Sequence, residues 1–154
     1  MNIFFSDEQD EPLDAAALRS FAELVLVQEG LPASTEMSMI LTTPEQIAEY
    51  NKNFMDRRGP TDVLAFPLED LSPGAIPTPI ANDPPLTLGD VFLCPAEIRR
   101  RAEREGIPFD DFLFLLVVHG ILHLLGYEHD DDTNAKLMED REDELLAMIG
   151  RTLQ

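Results

Sequence analysis

Apolar positions along this chain switch between two periods, and the switches mark out its elements. Ile3, Phe4 and Phe5 form a short opening apolar run that predicts a strand. From residue 12 to 29 the spacing becomes helical: Leu18, Phe21, Ala22, Val25 and Leu26 recur on one face, and Gly30 stops the run. Met37, Met39 and Leu41 then alternate as a strand does. Thr43-Pro44-Glu45-Gln46 predicts a capped helix start, with Thr43 as the cap, Pro44 in the first turn and Gln46 closing a capping box. That helix runs to about Phe54.

Residues 61–66 and 88–93 predict two further strands. Between them, residues 68–87 hold five of the twelve prolines without periodicity, which predicts a long surface loop. A helix starts at Cys94-Pro95 and stops near Gly106. Pro108, Asp110 and Asp111 open the next helix, where acids suit the positive end of the helix dipole. Its residues 112–118 are apolar all round, so it is expected to be central and buried. Asp130, Asp131 and Asp132 open a last amphipathic helix with Leu137, Leu145, Ala147, Met148 and Ile149 expected on its inner side. Strands early and helices late indicate an α+β fold: a small mixed sheet of about four strands packed on helices, in a single domain over residues 1–154.

Composition narrows the function classes. Apolar residues make up 44% of the chain, as in globular proteins. The longest apolar run, residues 112–118, is too short to span a bilayer, and no basic leader opens the sequence, so a cytoplasmic protein without a membrane partner is expected. The lone cysteine, Cys94, cannot make an internal disulfide and is expected to cap a helix or pack. A net charge of −19 argues against a general nucleic-acid binder and against DNA as a partner. Six of the eleven cations nevertheless fall in two groups, Arg57 and Arg58, then Arg99, Arg100, Arg101 and Arg104. The second group reads equally as a basic patch or as the solvated face of a helix.

The chemistry concentrates in one segment. All three histidines lie in His119-Gly-Ile-Leu-His123-Leu-Leu-Gly126-Tyr-Glu-His129. His119 and His123 sit one helical turn apart on one face, and Gly126 supplies a turn that brings His129 back alongside. Three imidazoles with an open fourth position suit a catalytic zinc, with nickel, iron and copper open to the same donors. The spacing also fits H-E-x-x-H-x-x-G-x-x-H metalloproteases at every ligand, but Gly120 stands where their glutamate base belongs. A peptidase is therefore disfavoured, while metal-assisted phosphodiester hydrolysis stays open.

With these histidines, Asn51-Lys-Asn-Phe followed by Pro60-Thr61-Asp62-Val63-Leu64-Ala65-Phe66-Pro67, and Leu88-Gly89-Asp90-Val91, the chain resembles the YbeY family of endoribonucleases and rRNA maturation factors over about residues 36–150. The resemblance implies a zinc-dependent, single-strand-specific RNase acting in 16S rRNA 3′-end maturation and ribosome quality control. It implies His119, His123 and His129 as metal ligands, and ribosomal RNA and small-subunit ribosomal proteins as partners. It also implies an arginine directly after the aromatic at Phe54, where this chain carries Met55; Arg57 and Arg58 are the candidates to replace it at the phosphate. Glu128 reads either as a carboxylate that orients a ligating imidazole or as a solvated turn residue. Asp62 and Asp90 read as loop anchors or as hydrogen-bond partners of a histidine, and Thr61 as a turn residue. The alternative function is a ribosome-assembly factor whose metal is structural, favoured by Met55 and the acidic charge.

Overall fold

A computed structural model describes residues 1–152. Its elements, in chain order, are β1 (Asn2–Asp7), α1 (Ala15–Gln28), β2 (Glu36–Leu41), α2 (Pro44–Met55), β3 (Val63–Pro67), β4 (Thr87–Leu93), α3 (Pro95–Glu105), α4 (Phe109–Leu124) and α5 (Asp132–Ala147). The four strands make one mixed sheet in the order β1-β2-β4-β3. β1, β2 and β4 run parallel, and β3 joins β4 antiparallel at the margin. This is the α+β fold expected, with the histidine helix at its centre.

The period-2 pattern of β2 sends Met37, Met39 and Leu41 into the main core, where they meet Leu18, Phe21, Val25 and Leu26 of α1. α4 contributes ten buried residues and packs on β3, β4, α1, α3 and α5. The other face of the sheet carries a smaller cluster in which Ile47 of α2 covers Leu64 and Cys94, with Tyr50, Phe66 and Phe92 around them. Cys94 is fully buried at the start of α3 and its side chain makes no capping bond, so it packs. Thr43 and Gln46 form the capping box of α2.

Two expectations need correction. β3 begins at Val63, so Thr61 and Asp62 precede the strand; Asp62 uses its carbonyl to accept from the Cys94 amide and its carboxylate to pair with Arg101 at 2.6 Å. α5 buries Met138, Glu142, Leu145 and Leu146, whereas Leu137, Ala147 and Met148 are exposed and Ile149 is half-buried just beyond the helix. The inner stripe of α5 therefore contains a carboxylate. The segment 68–87 is a loop as expected, but it is not loose throughout: Leu71, Ile76 and Leu86 pack on the core.

The arginines of α3 are clasps. Arg99 pairs with Glu11, Arg100 with Glu97, and Arg101 with Asp62 and Glu105. Arg99 and Arg101 also lie over the rings of Phe109 and Phe112. The solvated, ion-paired face is thus the reading that the structure supports for this group.

Candidate metal centre

His119 and His123 project from one face of α4, and the backbone after Leu125 turns back through Gly126 at φ +94° to deliver His129. Glycine is required there twice over. The left-handed conformation disfavours any side chain, and a Cβ would overlap the Leu71 carbonyl oxygen and come within 2.6 Å of its carbon. The proline-rich loop thus lies directly on the turn that positions the third histidine.

One ring nitrogen from each of the three histidines falls within 4.8 Å of the others. His119 Nε2 and His123 Nε2 are 3.1 Å apart. The Nδ1 atoms explain how two such nitrogens face each other. His123 Nδ1 donates to the Tyr127 carbonyl at 2.9 Å, and His119 Nδ1 donates to Glu142 Oε2 at 2.7 Å. A carbonyl only accepts, and the Glu142 oxygen takes the Nδ1 proton, so in the neutral rings both Nε2 atoms are lone pairs. Two neutral rings so placed repel unless a cation or a shared proton lies between them. Tetrahedral zinc with bonds of about 2.0–2.1 Å holds its nitrogens about 3.3 Å apart, close to the spacing found. The donor set therefore fits a divalent metal.

Burial keeps the set ready. The His123 imidazole is pushed down to about 4, first by burial and then by its two histidine neighbours, with the Tyr127 carbonyl opposing. It is neutral, and so a ligand, at ordinary pH. Its carbonyl partner is itself anchored: Tyr127 is buried, and its hydroxyl donates to Glu29 at 3.3 Å, which Arg141 of α5 also binds. The end of α1, the histidine turn and α5 are thereby tied together.

Gly120 has a steric reason as well as a chemical consequence. A Cβ here would stand 2.6 Å from Val91 Cγ1 and 3.5 Å from Val63 Cγ2. α4 lies close enough to β4 that a Cβ at this position forces Val91 to shift, while Val63 of β3 stays at ordinary contact distance. A glutamate base is accommodated only if Val91 or the helix moves.

Two clefts reach the histidines. The first, of about 480 Å³, is lined by His119, His123 and His129 together with Asn51, Met55, Arg57, Val63, Ala65, Pro67 and Glu128. The second, of about 600 Å³, reaches His119 and His129 from the other side; Asp62, Glu139, Glu142 and Asp143 make it acidic, with Arg101 the one cation on its wall. Arg57 therefore shares a cleft with the three histidines, and Arg58 does not line it. The cause is local: α2 ends at Met55, Asp56 adopts a left-handed conformation at φ 52°, and the Arg57 amide donates back to the Asn51 carbonyl. The Asn51 side chain clamps the returning loop by donating to the Gly59 carbonyl at 3.0 Å. The chain reversal puts Arg57 on the same cleft as Met55.

Glu128 is exposed at the cleft mouth and holds no imidazole; Glu142 fills that role. Asp62 pairs with Arg101, not with a histidine, and Asp90 lines neither cleft. Glu142 and the Tyr127 carbonyl are the functional groups that the sequence reading missed. The available signal for Glu142 was its place four residues after Met138, inside an apolar stripe.

The fold and site define an α+β protein with a three-histidine cluster that could hold a metal and is open to a cleft. The family model described as "Endoribonuclease YbeY" matches residues 4–150. The chain is 38% identical to an endoribonuclease YbeY of Thermobifida fusca over 154 residues, covering 100% of this chain and 97% of that one. It is 38% identical to its counterpart in Acidothermus cellulolyticus, covering 99% and 90%, and 35% identical to that of Mycobacterium leprae, covering 100% and 82%. The solution structure of TM1509 from Thermotoga maritima superposes with a TM-score of 0.67 at 26% identity, covering 96% of this chain and 88% of that one. The chain belongs to the YbeY endoribonuclease family.

Proposed function

We propose that this protein is a zinc-dependent, single-strand-specific endoribonuclease of the cytoplasm that acts in 16S rRNA 3′-end maturation and ribosome quality control. The observation that carries this reading is the pair of Nδ1 tethers, which leaves His119 Nε2 and His123 Nε2 facing each other as lone pairs beside a cleft that also holds Arg57. A divalent ion at these nitrogens supplies Lewis acidity to a phosphodiester and acidifies water. His119, His123 and His129 hold it. Arg57, exposed and without an acidic partner among the described residues, grips the phosphate in place of the arginine that Met55 displaced. Arg58 is the weaker candidate because it lies outside the cleft lining.

Ribosomal RNA and small-subunit ribosomal proteins are the proposed partners. The acidic second cleft and the −19 charge suit basic proteins. The same feature favours the alternative reading, an assembly factor that binds protein and cuts nothing.

Cleavage of a single-stranded oligoribonucleotide separates the two. The native protein cuts it in a chelator-sensitive way, and His123→Ala does not. Arg57→Ala loses about a hundredfold in kcat/KM, Arg58→Ala loses less than threefold, and Met55→Arg restores activity to Arg57→Ala. Equal cleavage by native protein and His123→Ala overturns the nuclease reading.

A further inference from the structure

Among the described residues β3 ends the sheet, with β4 on one side and no strand on the other. Its register fixes which groups point outward. The Cys94 amide donates to Asp62 and the Leu68 amide to Leu88, so the residues pairing with β4 by hydrogen bonds are 62, 64, 66 and 68. Val63, Ala65 and Pro67 alternate with them and direct their backbone groups away from β4. No hydrogen bond satisfies these groups among the described residues. The same three residues line the cleft of the three histidines and Arg57.

We propose that this free edge is the rail that holds the substrate strand: the amides of Val63 and Ala65 donate to acceptor oxygens of one extended RNA strand whose scissile phosphate lies at the histidines. This rests on the endoribonuclease reading. Three observations favour RNA over a peptide as the occupant. Residues 52–58 beside the cleft hold three cations, Lys52, Arg57 and Arg58, against the single acid Asp56. Phe54 stands 66% exposed next to Met55 of the cleft wall, a face on which an unstacked base can lie. Pro67 removes the third outward donor, which breaks the donor–acceptor alternation that an added peptide strand needs. A duplex cannot use the rail, because its bases are paired and its two backbones are wound together.

Amide hydrogen exchange on the metal-loaded protein reads the rail directly. In the free protein the Val63 and Ala65 amides exchange at least about a hundredfold faster than those of Leu64 and Phe66, which are bonded to β4. A 2′-O-methyl octaribonucleotide, which resists cleavage, slows Val63 and Ala65 at least about tenfold. Binding of this probe without protection at Val63 and Ala65 overturns the rail while leaving the nuclease reading intact; protection by an extended alanine-rich peptide but not by the oligonucleotide overturns both. A variant gives the second measurement. Ala65→Pro deletes one outward donor at a register position of the kind Pro67 already occupies, where an edge tolerates proline. It is expected to raise KM for single-stranded RNA about five- to tenfold, with kcat within twofold and melting preserved. Native KM in a folded Ala65→Pro protein overturns the proposal.

Discussion

Gly120→Ala is the smallest change that tests why this metal centre lacks a side-chain base beside its first ligand. In an ordinary helix the substitution stabilises by about 1 kcal/mol. Here the new methyl meets Val91 Cγ1 at 2.6 Å, short of ordinary contact by most of an ångström. Neither side yields cheaply. The methyl is fixed to the helix backbone, and Val91 is fully buried with a stiff β-branched χ1. Overpacking of this kind costs about 1–3 kcal/mol, and two rigid partners put the cost at the upper end, so the variant is expected to lose about 1–2 kcal/mol net of its helix gain. For a chain of this length that is a fall of roughly 2–8 °C in Tm. Urea denaturation of the metal-free protein measures it without contributions from the ion. A cycle with Val91→Ala isolates the contact, since removing both γ carbons gives the methyl room; the double variant is expected to be more stable than the two single losses predict by about 1 kcal/mol or more. A Gly120→Ala protein as stable as the native one, or strict additivity with Val91→Ala, would refute the steric account.

Other expectations follow from the tethers and the turn. Glu142→Gln keeps the volume of the His119 partner and removes its charge, so zinc affinity is expected to fall about 10–100-fold, read by competition with a chromogenic chelator; unchanged affinity would deny Glu142 its orienting role. Gly126→Ala combines a left-handed backbone with overlap on the Leu71 carbonyl, and a loss above about 2 kcal/mol is expected in urea, with faster proteolysis in the loop 68–87. A native midpoint for that variant would show that the loop does not rest on the turn. Stripping the metal is expected to lower Tm by roughly 8–16 °C if zinc was present at a thousand times its Kd, a linkage of about 4 kcal/mol. His129→Ala should abolish most of that difference.

Local pattern carried the elements well because each one is specified by its own neighbours. The capping box at Thr43 and Gln46, the alternation of β2 and the glycine stops are all decided within a few residues. The convergence of the three histidines was legible for the same reason, since helical spacing and one glycine turn bring them together. What stayed hidden depends on pairs far apart in the chain. Glu142 reads as one acid among many until α5 is placed against α4, where its carboxylate meets His119 across 23 residues. The inner face of α5 was misjudged because Leu137 and Met148 look apolar in isolation, while the stripe that packs runs through Met138, Glu142 and Leu145. Arg57 and Arg58 could not be ranked, because the left-handed residue that ends α2 is an aspartate rather than a glycine. Thr61 and Asp62 are expected in the strand running to Phe66, but β3 starts at Val63, although the Asp62 carbonyl still accepts from the Cys94 amide.

Gly120 ties the chemistry of the site to its packing. Read as chemistry, it subtracts a base from a protease-like pattern. Read as packing, it allows α4 to lie against Val91 and Val63, and it is this approach that carries His119 to the margin of β3. A bulkier residue would hold the helix away and widen the distance between the histidines and the free amides of Val63 and Ala65. The missing carboxylate and the nearness of the strand edge are then one property of one position. Position 120 itself then supplies no general base. On the proposed reading, the site would rely on an ion held by three oriented imidazoles, on Arg57 returned to the cleft by a left-handed turn, and on the strand edge to position the substrate. Those are the requirements of phosphodiester cleavage, in which positioning and charge stabilisation carry most of the work.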